Sequence, residues 1–135
     1  MDRIDHLGIA VKSIEAAKKL YESLGMRVEH EETVAGEQVH TAMIPVGGSR
    51  IELLEAASAD SVIGRFIAKR GEGLHHVAVH VDDIASRLRQ LKAKGVRLVN
   101  DEIKIGAGGH LYFFVHPEST GGVLLEICQD PVRGV

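Results

Sequence analysis

Four residues in this sequence combine the donor types and spacing that hold a divalent metal ion: His6, Glu52, His76 and Glu126. His6 lies in Ile4-Asp5-His6-Leu7-Gly8-Ile9-Ala10-Val11, and His76 lies in Leu74-His75-His76-Val77-Ala78-Val79-His80-Val81. The two stretches align at an offset of 70 (76 − 6), and the register runs on without a gap through Ile14/Ile84, Tyr21/Leu91, Gly25/Gly95 and Arg27/Arg97. A second match pairs Ile51-Glu52-Leu53 with Leu125-Glu126-Ile127 at an offset of 74 (126 − 52), so the second half carries about four extra loop residues. A carboxylate in the middle of an apolar strand is costly unless it is paired or ligates a metal. Two imidazoles and two carboxylates without a thiolate suit Zn, Co, Ni, Mn or Fe(II). Taken singly, each residue fits an ordinary role, a satisfied core histidine or an edge glutamate. Four coincident positions tied by an internal repeat favour the metal.

The elements that must position these residues follow from periodicity and punctuation. Residues 4–11 alternate: Leu7, Ile9 and Val11 face a helix, while His6, Gly8 and Ala10 face a side kept open by small residues. Ser13 is the N-cap of a helix whose apolar stripe is Ile14, Ala17, Leu20, Tyr21 and Leu24, and Gly25 ends it. Strands are expected at Met26–Thr33, Val39–Val46 and Arg50–Leu54, with a hairpin at Gly47-Gly48. Asp60 is expected to cap a short helix with Val62, Ile63, Phe66 and Ile67 on its apolar side, and Gly71-Glu72-Gly73 is the joint between halves. The second half repeats the plan: a strand at 74–81, an Asp83 cap, a stripe of Ile84, Leu88 and Leu91, Gly95, then strands at Val96–Val99, His110–Val115 and Val123–Cys128. Pro117–Gly122 reads as a turn. The fold class is therefore α+β, two tandem βαβββ modules (about 1–69 and 70–135) in one domain.

Other histidines weigh less. His75 aligns with Asp5 and alternates onto the helix side, so His76 is the ligand of the two. His30, His40, His80, His110 and His116 lack repeat partners and read as surface or hairpin residues, His80 being the nearest competitor because it shares the His76 face. Cys128 shares the Glu126 face and reads as a small buried hydrophobe. One cysteine forms no internal disulfide, in keeping with a reducing compartment. A net charge of −3 and a pI near 6.2 give no reason to propose nucleic acid or an anionic membrane as a partner. No apolar run approaches membrane-helix length, and the N-terminus has no apolar signal region, so a cytoplasmic location is expected.

With these residues in view, the sequence resembles the vicinal oxygen chelate superfamily, the glyoxalase/bleomycin-resistance fold, in which two such modules form an incompletely closed, cup-shaped sheet of eight strands around the metal. Within it, the methylmalonyl-CoA epimerase family is similar over nearly the whole length. The stretches that carry this are Ile4–Val11, Arg70–Ala78, Ile105-Gly106-Ala107-Gly108-Gly109 and His116-Pro117-Glu118-Ser119-Thr120-Gly121-Gly122-Val123-Leu124-Leu125-Glu126. The resemblance implies metal ligands at His6, Glu52, His76 and Glu126, a divalent ion (Co, Zn, Mn or Ni), an acyl-CoA substrate, a homodimer and a place in propionyl-CoA metabolism. It implies epimerisation of (2R)- and (2S)-methylmalonyl-CoA through a metal-stabilised enolate. It implies a catalytic glutamate in the turn before the third strand, here Glu37 from Ala35-Gly36-Glu37-Gln38-Val39, a stretch one residue shorter than the family pattern, and Glu126 is expected to be the acid/base group for the opposite face. Some members carry Gln at the position of Glu52, so the extra charge here bears on metal preference. The loop at 106–109 is expected to border the CoA arm, and Gly8, Ala10 and Ala78 to leave room for the malonyl group. Alternatives on the same scaffold are a glyoxalase I-type isomerase, an extradiol-type dioxygenase with Fe(II), and a non-enzymatic small-molecule binding protein. The fourth ligand, Glu52, argues against the dioxygenase, and the ligands themselves argue against simple binding.

Overall fold

Each half builds its main helix from the same local devices. In the first, Ser13 Oγ accepts the Ala16 N–H at 3.1 Å and starts α1 (Ile14–Ser23). In the second, Asp83 Oδ1 accepts the Ser86 N–H at 3.1 Å and starts α3 (Ile84–Ala93). A further donor at each helix start is taken by a side chain at the end of the last strand of the half: Ile14 N–H by Glu55 Oε1 and Ile84 N–H by Gln129 Oε1, both at 2.8 Å. These bonds satisfy amide groups that have no partner within the helix. Both helices end in the same way. Gly25 and Gly95 take φ of 86° and 71°, their N–H groups donate to Glu22 O and Lys92 O, and Met26 and Val96 donate to Tyr21 O and Leu91 O. This is the paired closure that a left-handed glycine permits.

The computed structural model describes residues 1–106 and 109–131. They divide into two compact units, His6–His75, and Met1–Asp5 with His76 onward. The remaining elements are β1 (Arg3–Ala10), β2 (His30–Val34), β3 (Val39–Val46), β4 (Ser49–Ala56), α2 (Val62–Arg70), β5 (Gly73–His80), β6 (Lys104–Ile105), β7 (Leu111–Val115) and β8 (Leu124–Gln129). In the first unit β1 runs parallel to β4, β4 is antiparallel to β3, and β3 to β2. In the second, β5 runs parallel to β8, β8 is antiparallel to β7, and β7 to β6. Each unit thus has the same four-strand ladder.

Packing follows the alternation. Val11, Ala42, Ile44 and Leu53 pack with Ile14 of α1, and Ile9, Tyr21, Met26 and Val28 lie against them. Val81, Phe113, Val115 and Ile127 pack with Ile84 and Leu88 of α3. A fully buried side chain such as Leu53 or Phe113 contributes roughly 1.5–3 kcal/mol by removal from water.

Five local expectations are corrected. The strands expected from Met26 and from Val96 do not begin there, because both residues are engaged in closing the preceding helix. β2 starts at His30, and the second segment makes only a bridge from Leu98 to Val115. α2 is capped by Ser61, not Asp60: Ser61 Oγ accepts the Gly64 N–H at 3.0 Å. The α1 stripe is narrower than its spacing implies, with Leu20 and Leu24 each 64% exposed. Val62 at the start of α2 is also exposed. Ala10 does not border open space; it is fully buried with Val39, Leu54 and Ile63, below Phe66 and Ile67 of α2.

Candidate metal centre

The ladders set the candidate ligands in matching registers. In the first unit Gly8 on β1 lies opposite Glu52 on β4, and His6 stands two residues before Gly8 on the same face. In the second, Ala78 on β5 lies opposite Glu126 on β8, and His76 stands two residues before Ala78. A residue with little or no side chain opposite each glutamate leaves the carboxylate free to reach toward the histidine. His6 Nε2 is 3.8 Å from Glu52 Oε1, with both side chains largely buried. His76 and Glu126 are buried, with ligand atoms within 4.8 Å of each other. On the far side of Glu126, β7 places Phe114 opposite it, and the Phe114 ring meets the His76 ring edge-on at 6.4 Å. The core-facing neighbours, Leu53 and Ile127, anchor each strand so that the glutamate next in sequence points the other way.

A buried carboxylate beside a buried imidazole is an arrangement that a dication stabilises, since it offsets the charge that burial makes costly. Nitrogen and oxygen donors at these distances fit a borderline divalent ion, so the residues present fit the metal that the fold family implies. Of the four expected ligands, the structure joins His6 to Glu52 in one unit and His76 to Glu126 in the other. Glu37 occupies the short 3-10 turn Ala35–Glu37 before β3 and is exposed. In the glycine-rich loop, Ala107 and Gly108 lie outside the described residues.

The remaining histidines have local surroundings. His75 meets the Phe66 ring edge-on at 5.0 Å, and burial holds its pKa below the usual imidazole value. His40 shares a 2.7 Å hydrogen bond with Thr33, His116 Nδ1 accepts the Glu118 N–H at 3.0 Å, and His80 Nε2 is 3.4 Å from Asp130 Oδ2. His110 is the neighbour that sequence reasoning passed over: its Nε2 is 3.5 Å from Glu126 Oε2. Counting by twos along β7 would have found it, because Tyr112 and Phe114 lie opposite Cys128 and Glu126, and His110 precedes them on that face. The Cys128 thiol is pushed up to about 12 by burial and by the nearby carboxylates of Asp5, Glu126 and Asp130.

Comparison with known proteins fits this geometry. Residues 5–114 match the Glyoxalase/Bleomycin resistance protein/Dioxygenase superfamily. The mitochondrial methylmalonyl-CoA epimerase of Mus musculus is 36% identical over 131 residues, spanning 96% of this chain and 74% of that protein. The crystal structure of a hypothetical protein from Bacillus halodurans superposes with a TM-score of 0.91 at 41% identity, covering 99% of this chain and 98% of the other. A variant of Streptomyces coelicolor methylmalonyl-CoA epimerase, solved in complex with 2-nitronate-propionyl-CoA, superposes with a TM-score of 0.86 at 36% identity, covering 95% and 94%. The α+β fold class expected from the repeat, with eight strands in two modules, is the fold of this chain.

Proposed function

Because the chain is an enzyme of the methylmalonyl-CoA epimerase family, within the Glyoxalase/Bleomycin resistance protein/Dioxygenase superfamily, we propose that it interconverts (2R)- and (2S)-methylmalonyl-CoA by moving the α-proton, with one divalent metal ion held by His6, Glu52, His76 and Glu126. The observation that carries this reading is the repeated register: in each unit a buried histidine stands two residues before a small residue that faces a glutamate. The acyl-CoA analogue bound to the Streptomyces coelicolor relative supports the substrate class.

The α-proton of such a substrate lies between a thioester and a carboxylate, so its removal leaves a delocalised enolate. When bound, the ion supplies the positive charge that stabilises this anion. Epimerisation then needs one acid/base group on each face of the planar carbon. Glu126 takes the proton on one face, and Glu37, from the turn before β3, returns one on the other. Glu126 would therefore both help hold the ion and carry the proton through its carboxylate. Ala78 opposite Glu126 adds little bulk on that side of the strand pair. The family resemblance also supports a homodimer, and the internal repeat supports a chain that acts as one domain with modules at about 1–69 and 70–135. Among the described residues, no helix is long and apolar enough to cross a membrane.

Glu37→Gln tests the division of labour. The variant is expected to keep the metal content of the wild type and to lose at least 100-fold in conversion of one epimer to the other, a typical contribution of a positioned acid/base. Conversion at the wild-type rate would remove Glu37 from the mechanism.

A further inference from the structure

Cys128, Glu126 and His110 form a second donor set. Glu126 and Cys128 are two residues apart on β8 and so share a face, and Tyr112 of β7 lies opposite Cys128. The His110 ring stacks on Tyr112 at 6.1 Å and 22°, which turns its Nε2 to within 3.5 Å of Glu126 Oε2. The ligand atoms of all three residues lie within 4.8 Å of one another. Cys128 is fully buried and Glu126 nearly so, while His110 is half-buried and gives the set one side open to solvent.

We propose that His110, Glu126 and Cys128 form a metal site for a thiophilic dication, zinc or cadmium, distinct from the epimerase centre but sharing Glu126 with it. It rests on the proposed function only through the double role of Glu126; the three donors stand without it. Bonds of about 2.0 Å to nitrogen and oxygen and about 2.3 Å to sulfur put tetrahedral ligand atoms roughly 3.3–3.8 Å apart. The 3.5 Å separation of His110 and Glu126 already meets this, and modest side-chain rotation brings the sulfur in. Cys128 binds as the thiolate and its proton goes to solvent. Hard ions such as magnesium or manganese gain nothing from sulfur, so the site separates metals by softness. The plainer account, a buried apolar cysteine beside a His–Glu contact, predicts no such binding. Occupation draws the Glu126 carboxylate away from proton transfer, so excess zinc slows the epimerase.

The test is a cadmium titration of the full chain, read by thiolate-to-cadmium charge-transfer absorption in the ultraviolet. Wild type and His76→Ala, which keeps all three donors, are expected to develop the band with one equivalent of cadmium. Cys128→Ser is expected to show none, and His110→Gln to weaken cadmium binding at least tenfold. Should Cys128→Ser fail to fold, His110→Gln decides the matter, because its ring is partly exposed. Absence of the band in folded wild type overturns the proposal. So does a band that His110→Gln leaves unchanged, the mark of a bare mercaptide. Epimerase activity without the band sinks this site alone; the band without activity sinks the epimerase reading alone.

Discussion

Leu53 and Leu20 separate burial from spacing. Both fall on apolar periodicities, yet Leu53 is fully buried under α1 and Leu20 is 64% exposed on it. Leu53→Ala removes three carbons, about 2.4 kcal/mol of transfer free energy, and the residual cavity brings the cost to about 3–4 kcal/mol. Unfolding entropy near 2.1 cal/mol/K per residue gives about 0.28 kcal/mol/K for 135 residues. The melting temperature of Leu53→Ala should therefore fall by about 10–14 °C. Leu20→Ala should stay within about 0.5 kcal/mol, or about 2 °C. Differential scanning calorimetry on both variants at the same concentration measures the contrast. Equal losses would refute the assignment of Leu20 to the exposed side. Because Leu53 anchors β4 with Glu52 pointing the opposite way, its truncation should also loosen the His6–Glu52 pair and lower metal affinity.

Two further perturbations follow from the structure. Ser61→Ala should cost about 1 kcal/mol by removing the α2 cap, and Asp60→Ala much less; urea midpoints that reverse this order would restore Asp60 as the cap. Burial lowers the His75 pKa in the folded chain, so near and below about pH 6.5 the unfolded chain binds more proton and stability falls as pH drops. His75→Gln should flatten this slope below about pH 6.5 in urea midpoints; a variant with the same slope would assign the proton uptake elsewhere.

Much of the candidate site's placement was legible because two independent periodicities agree on it. Strand alternation separates His6 and Glu52 from Leu7 and Leu53, and the repeat then finds the same separation at His76 and Glu126. The helix caps Ser13 and Asp83 were legible for a local reason, since an N-cap bond spans only three residues. What escaped depends on tertiary choices. Met26 and Val96 carry strand propensity, but the glycine before each lets it close a helix instead. Ser61 and Asp60 are both good caps, and only the chain path from Ser58 to Gly64 selects between them. Leu20 and Leu24 have helical spacing, yet the strands beneath α1 cover only part of its circumference. His110 had no repeat partner to mark it, and its place beside Glu126 depends on the β7–β8 register.

The most direct test is proton NMR of methylmalonyl-CoA in D₂O with metal-reconstituted protein, alongside a no-enzyme control and His76→Ala. Wild type is expected to lose the α-proton signal rapidly, and both controls to lose it only slowly, at background. Exchange at the background rate by wild type with metal bound would contradict it, and would move the glyoxalase I-type reaction to the front.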